Sequence, residues 1–498
     1  MKHKTLSFML LVLMSMAASV ASAYDAKIDG IYYNLYSSSK KATVTYRNSR
    51  SDFTVEYYDY SGSVAIPETV TYNDVTYRVT EVGYEAFCCC SRLTSVTIPN
   101  SVTTIGTDAF YKCSGLTSVT IPESVTTIGY KAFYGCTGLT SLTIPNSVTM
   151  IDEGAFSGCT GLTSVTIPES VTSIGSYAFY NCSGPTSIAI PESVTEVGNY
   201  AFQNCTSLKE LIIKDGESVL GLGDNCFKNC PLESIYLGRG LSYDDSNNSK
   251  AKKDAPFYGN TTLAKVEVPS IEKFLKFEFT GQNGNPLQYP HHLYVDGEEV
   301  TEVSIPESST TIGAYTFHGC SEITSVTGGR NLTNIGASAF HGCEKLKYFY
   351  VPGGVKNIEA STFEGCKRMT EVRIGSGVET IGNRAFYDCP LLRIYNYAEF
   401  PQNCGTNTFS VVKSNCKLFV HADSQDLYSV HQDWYEFNIQ PMDDEALAIE
   451  NVNVNENDNE TLRYEKGVYD LSGRKVNVND SKLKKGIYIV NGKKTQVR

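Results

Sequence analysis

The side chains best suited to chemistry are cysteines and histidines set at fixed intervals. Cys113, Cys136, Cys159, Cys182 and Cys205 recur every 23 residues, each three positions after a phenylalanine. Cys90, Cys230, Cys320, Cys343, Cys366 and Cys389 follow a Phe in the same way. Sixteen cysteines would suggest disulfides if the chain meets an oxidising compartment. Two stretches, Phe317-His318-Gly319-Cys320 and Phe340-His341-Gly342-Cys343, pair His with Cys one repeat apart, a donor set that suits zinc. His291-His292 is a further pair.

Each reading has a plainer competitor. One Cys per repeat at a fixed place is a packing position, because a thiol behaves as a small hydrophobe. In stacked coils the Cβ atoms would stay parallel and about 4.8 Å apart, wider than the ~3.8 Å a disulfide prefers. The ladder cysteines are therefore expected to be buried thiols. Cys88-Cys89 and the pair Cys404/Cys416 lie off that ladder, and the second pair could bridge. A zinc site would need two His and two inward Cys to converge, whereas each His is expected to follow its Phe outward. His291-His292 reads as a solvated turn. No nucleophile elbow, H-E-x-x-H or phosphate-cradling glycine loop is found. No catalytic residue, metal or cofactor is expected.

The elements that position these residues come from the repeat. Phe87, Phe110, Phe133, Phe156, Phe179 and Phe202 are evenly spaced, as are Phe317, Phe340, Phe363 and Phe386. Leu116, Val119 and Ile121 have the spacing of a short strand with an inward apolar set, and such strands would stack in parallel. Pro122 ends the pairing, Val125 and Ile128 give a second inward pair, Gly129 allows a tight corner, and Ala132-Phe133 turns the chain back. One coil alone buries nothing, so the units must stack. About 13 coils, or roughly 60 Å of stacking, are expected.

The unit A-F-x-x-C-x-x-L-x-x-V-x-I-P-x-x-V-x-x-I-G, over about residues 60–440, resembles the BspA-like leucine-rich repeats of secreted and surface proteins of Bacteroides-type bacteria. The resemblance implies a right-handed, strand-rich repeat solenoid. It implies adhesion and host or matrix binding rather than catalysis.

The rest of the chain divides by composition. Residues 1–23 read as a signal peptide, with Lys2, Lys4, an apolar run and Ala21-Ser22-Ala23. Residues 24–80 alternate like hairpins and are read as an N-terminal β cap. Residues 81–440 are the repeats, with insertions near 214–260 and 271–299. Leu427, Val430, Trp434 and Phe437 have helix-like spacing and are expected to form a closing amphipathic helix near Pro441. Residues 441–463 are read as a linker and 464–498 as a small C-terminal β module. The pieces Tyr469-Asp470-Leu471-Ser472-Gly473-Arg474 and Gly486-Ile487-Tyr488 resemble the sorting domain of the type IX secretion system. Delivery to the surface of a Gram-negative outer membrane is what that resemblance implies.

Net charge is −12, which argues against nucleic acid. No stretch reads as a membrane span. A monomer is expected. The working surface should be the outward strand positions. In the first repeats these are Ser95/Thr97, Ser118/Thr120, Ser141/Thr143 and Ser164/Thr166, a hydroxyl ladder. Later they become Ser234/Tyr236, Lys265/Glu267, Tyr348/Tyr350, Glu371/Arg373 and Ile394/Asn396. Exposed Tyr beside Arg is the composition of a binding hot spot. Tyr236, Tyr348, Tyr350, Glu371 and Arg373 are therefore the expected contact residues for an extracellular protein or glycan. The alternative is a structural spacer with no specific ligand.

Overall fold

The computed structural model describes residues 24–47, 60–243, 255–277, 279, 284–288, 292–410 and 413–443, and the backbone of 468–470, 486–490 and 493–497. The signal-peptide and linker readings, and the polar insertion at 244–250, lie wholly or largely outside the described residues. The chain forms two compact units: Met1–Lys209 with Gly223–Pro231, and Glu210–Leu222 with Leu232–Arg498.

Each unit is a parallel β-solenoid whose coils follow the repeat. In the first unit the leading strands Gly62–Ala65, Leu93–Thr97 and Ser118–Thr120 pair in parallel. They form because Leu and Val alternate with hydroxyl residues of high strand preference, so one face can be buried. A second wall is built from two-residue strands: Thr104–Ile105, Thr127–Ile128, Met150–Ile151, Ser173–Ile174 and Glu196–Val197. The third wall is the turn carrying the Phe. Its backbone also bonds coil to coil, as in Phe110 N–H to the Ala132 carbonyl, 2.7 Å, and Phe133 N–H to Ala155, 2.8 Å. Three hydrogen-bonded walls leave an interior lined by Leu, Val, Ile, Ala and Phe, nearly all without solvent exposure.

The Phe rings form a continuous stack through that interior. Successive centroids from Phe87 to Phe227 lie 4.9 to 5.5 Å apart and the rings are near parallel. In the second unit the same ladder runs Phe317, Phe340, Phe363, Phe386 and Phe409. Aromatic edges close the ends. Tyr60 packs on Phe87 at 4.6 Å, and its hydroxyl donates to the Thr45 carbonyl. Phe274 meets Phe317 edge-on, and Trp434 and Phe437 meet Phe409 edge-on. Ahead of Tyr60, strands Ala26–Ile28, Ile31–Tyr36 and Lys41–Thr45 form an antiparallel meander whose last strand pairs in parallel with Val75–Val82.

Two backbone positions in most of the described coils are left-handed. Two before the Phe stand Asp108, Lys131 and Tyr177, and two after it stand Lys112, Gly135, Gly158, Asn181 and Asn204, all with positive φ. Gly129 does not belong to this set. Its role differs from the tight corner expected: a Cβ there would come 2.9 Å from the Thr107 nitrogen of the neighbouring coil. The glycine serves close approach between coils.

The C-terminal end of the second unit departs from the sequence expectation. The helix spans only Gln425–Val430, and its buried residue is Tyr428. Leu427 and Val430 are exposed, while Trp434 and Phe437 are buried beyond the helix. Tyr428 fixes the helix instead, donating its hydroxyl to the Ala398 carbonyl at 3.0 Å. Strand Asn438–Pro441 then pairs in parallel with Lys417–Val420. The 271–299 region holds the short helix Ile271–Phe274 and an antiparallel pair, Leu293–Val295 with Glu298–Glu299. Further on, strands Val468–Asp470, Gly486–Val490 and Lys493–Val497 make an antiparallel sheet. Among the described residues no helix is long and apolar enough to cross a membrane.

Candidate functional site

The richest side-chain surface is the outer face of one five-stranded parallel sheet in the second unit. Its strands are Tyr348–Val351, Glu371–Ile374, Arg393–Asn396, Lys417–Val420 and Asn438–Pro441. Strand alternation sends Phe349, Val372, Ile394 and Leu418 into the core. The outward positions form two columns. One holds Tyr348, Glu371, Arg393, Lys417 and Asn438; the other holds Tyr350, Arg373, Tyr395, Phe419 and Gln440.

The expected column Ile394/Asn396 is overturned, because both residues are buried. The repeat ending at Cys389 is one residue shorter before its strand, so Arg393 pairs with Glu371 and Tyr395 with Arg373. A one-residue slip exchanges the two faces of a strand. Asn396 thus stands where Ile374 does in the coil before. Its amide is satisfied by Gln402 at 2.7 Å. Comparing the Cys366–Val372 and Cys389–Ile394 spacings would have revealed Arg393 and Tyr395 as site residues.

The expected exposure of Arg373 is also overturned: it is only 5% exposed. Its guanidinium lies 4.1 Å from the Tyr395 ring centroid. Its Nε donates to Glu371 Oε1 at 3.2 Å and its Nη1 to the Tyr397 hydroxyl at 2.9 Å. Glu371 also accepts from Arg393 Nε at 3.0 Å. Tyr395 stacks on Phe419 at 4.6 Å. Tyr350, Tyr395 and Phe419 pack against buried Tyr397 and Met442. Burial, with Glu371 nearby, pushes the Tyr395 hydroxyl above its ordinary pKa, so it stays a neutral donor. The result is a half-buried aromatic platform held from beneath by a paired cation, with Arg393 at its rim.

Tyr236 is not part of this platform. It lies on another sheet, built from Glu210–Ile213, Ser234–Leu237, Lys265–Val268, Leu293–Val295 and Glu298–Glu299. Its hydroxyl donates to Asp215 at 3.0 Å, and burial together with that bond pushes it up to about 12. Beside it Lys265 pairs with Glu267 at 2.7 Å and lies 5.1 Å from the Tyr294 ring centroid. In the first unit the Ser95/Thr97 and Ser118/Thr120 columns are in register, with Thr143 bridging Thr166.

The cysteines sit as the packing reading expects. All sixteen are thiols, fourteen of them buried. Most ladder Sγ atoms donate back to the Phe carbonyl of the preceding coil, as in Cys136 to Phe110, 3.1 Å, and Cys159 to Phe133, 3.1 Å. Burial pushes the Cys136 and Cys159 thiols well above their usual range, which leaves them protonated donors. Cys404 and Cys416 are not bridged; burial pushes each up to about 12.

His318 does not point outward as expected. His318 is buried and stacks on half-buried His341 at 4.6 Å. His341 Nε2 lies 3.9 Å from Glu364, which is chelated by Arg384. Among the described residues no cluster of three or more His, Cys, Asp or Glu could hold a metal.

A parallel β-solenoid with alternating inward Leu, Val and Ile defines a leucine-rich-repeat protein, and this one offers an aromatic outer face. The family model for BspA type leucine rich repeat regions matches residues 80–209, 126–250, 172–295 and 290–416; the chain belongs to this family. Such repeat proteins are generally non-enzymatic and typically surface or secreted. Among solved structures, a leucine-rich repeat protein from Bacteroides ovatus is 25% identical, covering 84% of this chain and all of its own, with a TM-score of 0.49. A leucine rich cell surface protein from Faecalibacterium prausnitzii is 25% identical over 79% of this chain and 96% of its own, TM-score 0.38. A leucine rich repeat protein of T. pallidum is 28% identical over 41% of this chain and 89% of its own, TM-score 0.35. No curated protein matches.

Proposed function

We propose that the chain is a non-enzymatic, exported binding protein that grips an extracellular protein or glycan through the Tyr348/Tyr350 and Tyr395/Phe419 platform. The observation that carries this reading is the cation beneath the rings. Arg373 is bound on three sides by Glu371, Tyr395 and Tyr397, so the aromatic surface is fixed before a ligand arrives. Rigid aromatic area costs little side-chain entropy on binding. Tyr348 and Tyr350 supply contact area, Glu371 and Arg373 hold the platform, and Tyr236 is a separate contact point on its own sheet.

Export fits the leader-like residues 1–23. Residues 24–80 serve as the cap, 81–440 as the repeats, 441–463 as a spacer and 464–498 as a sorting or anchoring module at the outer membrane. The protein acts as a monomer.

The test is a glycan and matrix-protein array probed with the full chain and with a Tyr348→Ser/Tyr350→Ser variant. Binding to at least one ligand is expected, weakened at least tenfold in the variant with unchanged circular dichroism. Equal binding by the variant refutes the site. An array with no reproducible signal favours the spacer role.

A further inference from the structure

The geometry points to Cys88 and Cys89 as a redox-active pair that closes into a vicinal disulfide when the chain meets a low-molecular-weight disulfide outside the cell. Their Sγ atoms lie 3.4 Å apart. Rotation about the two Cα–Cβ bonds can bring them towards the ~2.05 Å of a disulfide, without any movement of one coil against another. Cys89 is partly exposed, so a small oxidant can reach it; Cys88 is buried behind it.

Neither residue stands at a packing position of the repeat. The place of Cys88 is taken by Tyr111, Tyr134, Ser157 and Tyr180 in the coils that follow. The place of Cys89 is taken by Lys112, Gly135, Gly158 and Asn181, all left-handed as Cys89 is. The ladder thiol of this coil is Cys90, which needs neither neighbour to be sulfur. A pair of thiols has been placed on the turn wall where the following coils carry Tyr or Ser and then a left-handed residue.

The ladder cysteines contrast in access and in chemistry. Cys205 and Cys230 are successive ladder thiols, as are Cys366 and Cys389, and each donates to a phenylalanine carbonyl. All four are buried. The Cys230 thiol pushes the Cys205 pKa up and burial adds to it; burial does the same to Cys366. Neither pair has a partly exposed member such as Cys89, so a small oxidant has no point of entry to them.

The reaction is thiol–disulfide exchange. The Cys89 thiolate attacks one sulfur of RSSR, forming Cys89–S–S–R and releasing RS⁻. The Cys88 thiolate then attacks Cys89 Sγ, forming the Cys88–Cys89 bond and expelling the second RS⁻. The two protein thiols give up two electrons and two protons, and RSSR becomes two RSH. Adjacent residues hold their Cα atoms closer than the usual disulfide span, so the bond is strained and readily reduced.

The experiment incubates the reduced full chain with oxidised glutathione, alkylates the remaining thiols after denaturation, and maps the peptides by mass. The expected product has two fewer titratable thiols, no retained glutathione, and a peptide containing Cys88 and Cys89 that is lighter by two hydrogens. A Cys88→Ser variant should stop at a glutathione adduct on Cys89, and a Cys89→Ser variant should not react. A lasting adduct on Cys89 in the unsubstituted chain, no reaction at all, or oxidation at Cys205/Cys230 or Cys366/Cys389 instead overturns the proposal.

Discussion

Arg373 and Tyr395 face each other across neighbouring strands, with the guanidinium 4.1 Å from the ring centre. Arg373 is almost wholly buried, so its charge acts on the platform rather than on solvent. Arg373→Met keeps the stem but leaves the Tyr397 hydroxyl and one Glu371 oxygen without their donor. The loss should be about 1–3 kcal/mol, the range for stranding buried polar groups. Urea unfolding measures it. Arg373→Lys should not restore stability, because an ammonium cannot stack on Tyr395 and serve both partners. A fully stable lysine variant would remove the platform argument.

The Phe stack gives a second expectation. Phe156 lies between Phe133 and Phe179 with centroids 5.5 and 5.4 Å away and is fully buried. Phe156→Ala should cost roughly 3–5 kcal/mol through lost burial and the cavity left behind. Phe400→Ala, at a side chain 65% exposed, should change stability by less than about 0.5 kcal/mol. Comparable effects at the two positions would contradict a continuous aromatic interior.

Two glycines separate steric need from conformational need. Gly129→Ala should destabilise by about 1–3 kcal/mol, since the new Cβ meets backbone of the preceding coil at 2.9 Å. Gly158 is left-handed, at φ 73, with nothing closer than 3.6 Å. Asn181 and Asn204 fill the same place in later coils, and the Asn204 amide donates to Asn181 at 3.0 Å. Gly158→Asn should therefore be tolerated and offer Asn181 a further partner. Thermal midpoints of the two variants should move apart; a larger loss for Gly158→Asn would show the amide ladder cannot extend.

Spacing made the interior legible. Phe, Cys and Leu recur so regularly that the buried ladder, the parallel strands and the thiol positions follow from periodicity alone. The platform was legible only in part. Tyr348, Tyr350 and Glu371 are outward and adjacent as expected, but Arg393, Tyr395 and Phe419 were hidden. A one-residue deletion after Cys389 shifts the strand register, which a fixed period cannot express. The burial of His318 and Arg373 was equally invisible, because it depends on which neighbour covers them across coils. At the closing helix, Leu427 and Val430 matched a 3.6-residue period, yet Tyr428 and Trp434 won the core through their hydroxyl and indole hydrogen bonds.

The histidine stack gives the second unit an acid-sensitive seam. Burial holds the His341 pKa below its ordinary value; Glu364 opposes this and Arg384 adds to it. The unfolded chain then binds the proton more readily, so stability contributed by His341 is full above about 6.5 and falls as pH drops through the folded value. Glu364 moves the same way. Burial alone would raise its pKa, but the Arg384 hydrogen bonds outweigh burial, with Ser361 and His341 assisting, and hold it below the usual carboxylate range. Its contribution is present above about 4.5 and is lost on further acidification. His318 stacks on the same ring, so protonating His341 places charge against a buried neighbour. His341→Tyr should remove the first step, since Tyr111 and Tyr134 already stack at 5.0 Å in the matching position of the first unit. Denaturant midpoints measured from pH 7 to pH 5 should decline in the natural chain and stay level in the variant. Parallel declines in both proteins would assign the acid sensitivity elsewhere.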